Sequence, residues 1–140
     1  GNIMKKKDET NKAKENLEDI NDLYRQLYIL NLSLETIYII IIAIFLNIEF
    51  IKWSRIKILD SINNTKNLEK VGDLSDYPKI SNLIYIYATG VFLLINYSEF
   101  QNISSLEGST KKERCKGFKA FLSSLLIFIA TGLTKDNLET

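Results

Sequence analysis

Residues 37–46 (IYIIIIAIFL) carry no charge and one polar atom, the Tyr38 hydroxyl. Water solvates such a run poorly on every side, so it must lie in lipid or at the centre of a helical assembly. Whatever the rest of the chain does has to be arranged around that requirement.

The flanks decide how the run is built. From residue 12 to 34 apolar residues recur at spacings of three and four: Leu17, Ile20, Tyr24, Leu27, Leu30 and Leu34. Glu15, Glu18, Asp22 and Arg25 fill the other side, which is the pattern of an amphipathic helix. No Pro or Gly intervenes between Ala13 and Val71. One long helix over about residues 12–60 is therefore expected, either continuous or broken near 31–35. At ~1.5 Å per residue it would extend roughly 65–70 Å. A compact domain of this length is only about 35–40 Å across. The helix must then project into an oligomer, cross a membrane, or break. The six isoleucines among residues 37–44 would also suit a buried strand, but no turn signal brackets them and both flanks keep a helical period.

Residues 63–79 read as a loop, with Asn63-Asn64, Gly72 and Asp73-Leu74-Ser75-Asp76 as turn chemistry and one short helical turn over 66–71. Ser75 or Asp76 ahead of Pro78 signals the start of a second helix, 77–103. Its centre, residues 83–95 (LIYIYATGVFLLI), is apolar apart from Thr89 and the tyrosine hydroxyls. Gly90 there costs about 1 kcal/mol relative to Ala, which points to a close helix contact or to simple tolerance. Thr110 and Glu113 have capping-box spacing and open a third helix over 111–131. Cys115, Phe118, Phe121, Leu122, Leu125, Phe128 and Ile129 share its apolar face, and Gly132 is the expected stop. The fold class is all-α, with three main helices arranged up and down and a long first helix. Gly1-Asn2-Ile3 reads as a remnant of tag cleavage, leaving 4–140 as a single all-α domain with Met4 as its expected start. Lys5-Lys6-Lys7 resembles a signal-peptide start, but the acidic residues that follow argue against cleavable secretion.

A hydrocarbon core of about 30 Å needs about 20 mostly apolar residues. The first block, extended to 29–51, is long enough but contains Asn31, Glu35, Asn47 and Glu49. The second, 80–97, reaches the lower limit, and the third, 120–133, is short unless Lys119 snorkels. An orientation with the N-terminus inside leaves a basic loop outside, against the positive-inside tendency. Trp53 and Tyr97 sit where interface anchors would, and equally where the rim of a protein core would.

Several functions are disfavoured. A chain without His lacks the commonest acid–base group and metal ligand. Its single cysteine, Cys115, supports no intramolecular disulfide and no cysteine-based zinc site. A net charge of +1 supplies no global field for nucleic acid. No phosphate-cradling glycine loop or nucleophile–base pair is present, so no catalytic, cofactor-binding or metal residue is assigned and no cofactor or small-molecule substrate is expected. Glu35, Glu49 and Glu99 read as solvated or locally paired carboxylates. The densest basic patch is Lys111, Lys112, Arg114, Lys116 and Lys119, which reads as a solvated helix start or as a contact for anionic lipid or another anion. The expectation is a non-enzymatic membrane protein serving as anchor, pore component or regulator of a larger complex. The alternative is a soluble cytoplasmic bundle that self-associates through its long first helix.

Overall fold

The computed structural model describes residues 1–106 and 108–139, with the side chain of Glu139 left out. Three α-helices account for nearly all of it: α1 (Asn2–Asn63), α2 (Tyr77–Ser105) and α3 (Lys111–Glu139). A 3-10 turn, Asn67–Lys70, lies in the loop before α2 where a short helical turn was expected. Among the described residues there is no strand, which disposes of the β reading of the isoleucine run. The chain divides into two compact units, Gly1–Glu35 and Thr36–Thr140.

In the first unit the helix begins at Asn2, earlier than residue 12, and residues 31–35 are helical as well. The start carries the good helix formers Lys5, Lys6, Lys7 and Glu9 and no Gly or Pro among residues 2–12. Asp22 accepts hydrogen bonds from Gln26 Nε2 at 2.7 Å and Arg25 Nε at 3.1 Å. Together the Gln26 amide and the Arg25 guanidinium hold the Asp22 carboxyl below its usual range.

In the second unit α1 stops for a local reason. Asn64 takes a left-handed φ of 52°, and Thr65 N–H donates to the Asp60 carbonyl at 3.1 Å. That 6→1 bond after a left-handed residue is a Schellman cap. The Asp60 carboxylate then gathers the next turn. It accepts from Thr65 Oγ1 at 2.6 Å, Leu68 N–H at 2.8 Å and Asn67 N–H at 3.1 Å. Pro78 sits in the first turn of α2, where its missing N–H costs nothing. Thr110 caps α3 by accepting from Glu113 N–H at 3.1 Å.

α2 and α3 form an antiparallel pair. Tyr97 lies 5.4 Å from Phe121 and Phe100 lies 5.9 Å from Phe118, centroid to centroid. Gly90 faces Phe128 and Gly117 faces Phe100, so that a β-carbon at either would meet a ring atom at 3.4 Å. The close contact anticipated at Gly90 is therefore present. α3 does not stop at Gly132 but continues to Glu139. A helical glycine costs only about 1 kcal/mol, and Thr131 and Thr134 donate to the carbonyls of Ile127 and Ala130 across that region.

The Asp60 cluster gives a prediction with a definite sign. Its carboxyl is held below 3.8, first by the Thr65 hydroxyl and then by the Leu68 and Asn67 amides. The folded state binds this proton less readily than the unfolded chain. The cap's contribution is therefore complete above 3.8 and is lost as pH falls through the lower folded value. Amide protection at Asn67 and Leu68 should fall on acidification through that range, and should be low at every pH in Asp60→Ala. Unchanged protection in the variant would contradict the assignment.

Candidate functional site

In the second unit the fully buried residues are small or polar, and many of the large apolar ones point out. Ala43 and Ala88 are 0% exposed, Thr36 1%, Ser81 2% and Asn82 6%. Among the described residues, these five are the buried set. By contrast Phe45 is 62% exposed, Leu94 69% and Leu133 62%, with Ile41, Ile42, Ile48, Leu83 and Leu126 similarly turned outward. A water-soluble domain has the reverse partition. Each half-exposed Ile or Leu leaves about 1 kcal/mol of transfer free energy unrealised in water.

The inward residues form a connected polar seam. On α1, Asn47 follows Ala43 by four and Thr36 by eleven positions, on one face of the helix. Asn47 Oδ1 accepts from Ser81 Oγ at 2.7 Å, and its Nδ2 donates to the Tyr85 hydroxyl at 3.4 Å. One side chain of α1 thus bonds two residues of α2 one turn apart. Between α2 and α3, Asn96 Nδ2 donates to Ser124 Oγ. Thr89 Oγ1 donates to its own helix at the Tyr85 carbonyl, 2.7 Å away. Asn82, Thr89 and Asn96 follow one another at seven-residue steps on α2, as do Gly117, Ser124 and Thr131 on α3, so each set recurs along one seam. Asn82 Oδ1 is buried and has no hydrogen-bond partner.

This arrangement corrects the expected face of α3. Cys115, Phe118, Leu122 and Ile129 are exposed, while Gly117 and Ser124 are half-buried alongside Phe121, Leu125 and Phe128. Small side chains permit close backbone approach and hydroxyls supply interhelical bonds, so the seam selects them over larger apolar neighbours. By sequence Asn47 is one of the polar residues that interrupt the first apolar block. In the structure it is the link between α1 and α2.

The basic patch lies on the first turns of α3, and all five residues are exposed. Lys112, Lys116 and Lys119 fall on one face by helical spacing, with Lys111 beside it. Arg114 is drawn away: its Nη1 donates to the Ser109 carbonyl at 2.8 Å and the Ser109 hydroxyl at 3.2 Å. Glu49 pairs with Lys52 at 3.6 Å. Trp53 is half-buried, with the Lys57 ammonium 5.7 Å from its ring centroid. Among the described residues, no three His, Cys, Asp or Glu side chains cluster as metal ligands.

All three helices contain a stretch long and apolar enough to cross a membrane. No family model, curated protein or solved structure matches this chain.

Three substitutions separate the seam from the outer surface. Asn47→Leu removes both bonds to α2 and, at about 0.6 kcal/mol for each interhelical bond, should destabilise the protein by about 1 kcal/mol. Ala43→Leu inserts three carbons at a fully buried site and should cost about 1–3 kcal/mol. Leu94→Ala, on the outer face, should cost less than either. Unfolding titrations in detergent micelles make the comparison, and a larger loss at Leu94 would contradict the inverted partition.

Proposed function

We propose that this chain is a non-enzymatic integral membrane protein whose three apolar helical stretches lie in lipid. Its role is that of an anchor, a pore component or a regulator within a larger complex. The observation that carries this reading is the inverted partition. Ala43, Ala88, Thr36, Ser81 and Asn82 are withdrawn from the surface that Phe45, Leu94 and Leu133 occupy. Acyl chains solvate those outward side chains as well as a protein interior would, so helices in lipid gain nothing by burying them against one another. Polar groups, in contrast, find no water in hydrocarbon and must bond internally. The Asn47–Ser81, Asn47–Tyr85 and Asn96–Ser124 bonds meet that demand for these groups, Asn82 Oδ1 being the exception.

The edges of the apolar stretches support the same reading. Trp53, with Lys57 against its ring, combines an amphipathic aromatic and a cation at the end of the apolar part of α1. The exposed face formed by Lys112, Lys116 and Lys119 suits contact with anionic headgroups, each charge contributing ~1 kcal/mol near such a surface.

Sequential extraction of membranes from cells expressing the untagged chain tests the proposal. High salt, about 1 M, screens charges beyond ~3 Å and releases proteins held by surface electrostatics alone. Alkaline carbonate then releases proteins attached peripherally. The chain is expected to stay in the pellet through both steps and to leave it only with detergent. Recovery in the supernatant at either step would overturn integral insertion.

A further inference from the structure

The first unit holds an apolar seam that nothing in it covers. Ile20, Leu23, Leu27, Leu30 and Leu34 follow one another at alternating steps of three and four, the a and d positions of a strict heptad. Leu17 and Tyr24 widen the same face, and the seven side chains are between 47% and 68% exposed. Charged residues stand elsewhere on the helix: Glu18 and Arg25 share one position of the repeat, Glu15 and Asp22 another. We propose that this seam pairs with the same seam of a second copy of the chain, as a parallel coiled coil leading into the apolar stretch of α1.

Three observations favour a second copy as the occupant. The first is charge. Between Ile20 and Leu34 the positions flanking the seam are Tyr24, Gln26, Asn31 and Ser33, all neutral, so identical helices in register bring no like charges together. The Asp22–Arg25 ion pair at 3.0 Å is closed within its own helix and asks nothing of a partner. The second is area. Burying an exposed half of a Leu or Ile removes about 50–60 Å² and of a Tyr about 100 Å². The seven residues together offer roughly 450 Å² per copy, so two copies approach the ~1,000 Å² that a specific interface needs. The third is the sign of the polar face. Residues 14–35 hold two basic side chains, Lys14 and Arg25, against five acidic ones, Glu15, Glu18, Asp19, Asp22 and Glu35. A helix lying on an anionic bilayer carries the opposite excess.

The parallel orientation rests on the membrane reading above, because copies inserted with one topology present this segment on the same side of the bilayer. Confinement to a membrane also raises the effective concentration of the seams. The pairing itself does not need the membrane.

Disulfide trapping in the full chain tests it, in a Cys115→Ser background that removes the native thiol. Leu23→Cys and Leu27→Cys place a thiol on the seam, and Glu18→Cys places one on the charged face. Membranes carrying each variant are oxidised with copper phenanthroline, and the products are separated without reductant. Leu23→Cys and Leu27→Cys are expected to give a species of twice the chain's mass, several-fold more abundant than with Glu18→Cys. Equal yields at all three positions, absence of the species, or an adduct of another mass at the seam would overturn self-pairing. A chain found in the supernatant that still cross-links at Leu23 and Leu27 would retain the pairing and refute membrane insertion. A chain that pellets but does not cross-link would do the reverse.

Discussion

Asn47 has an amide that both accepts and donates, and α2 answers with a hydroxyl at each end, Ser81 and Tyr85. Under the proposed membrane placement such an amide has no water to fall back on, so its partners must be fixed by the fold. The small residues around it follow from this requirement. Ala43 lies one turn before Asn47, and Ser81 is almost fully withdrawn from the surface, so the backbones can approach closely enough for a short side chain to reach across. Larger residues at these positions would hold the helices apart and leave the amide alone.

The second helix pair obeys the same rule with different parts. Asn96 bonds to Ser124, Phe128 covers Gly90, and Phe100 covers Gly117. Aromatic rings there do much of the filling that Ile and Leu would do in a soluble core, and aliphatic side chains such as Leu94 and Leu126 are released to the outside. Composition alone hides this. A chain with 46% apolar residues looks ordinary on average, and only the direction in which those residues point separates a lipid-facing surface from a packed interior.

Much of the architecture was legible because helix signals are local. The breaker-free stretch from Ala13 to Val71, Pro78 at the head of α2 and the Thr110–Glu113 cap all mark boundaries through contacts within a few residues. The end of α1 was legible for the same reason, since Asn64 is one of the few residue types that tolerate the left-handed region. The seam was not. Choosing Gly117 and Ser124 over Cys115 and Ile129 depends on which side of α3 meets α2, and hydrophobic periodicity assumes that the greasier side goes in. Under the proposed membrane reading that assumption has the wrong sign. The polar residues that looked like obstacles to a membrane span, Asn47 above all, carried the information that periodicity missed. The basic cluster was visible as a cluster, but the diversion of Arg114 to Ser109 needed the turn before α3 in three dimensions.

The central claim is that Ile44, Leu94 and Leu126 face acyl chains while Ala43 and Ala88 face neighbouring helices. Spin labels placed singly at these five positions in a Cys115→Ser chain, reconstituted in liposomes, report it through collision rates with oxygen and with a water-soluble nickel chelate. The account predicts frequent oxygen and rare nickel collisions at 44, 94 and 126, and few of either at 43 and 88. Frequent nickel collisions at the three outward positions would mean that those side chains meet water, and would contradict it.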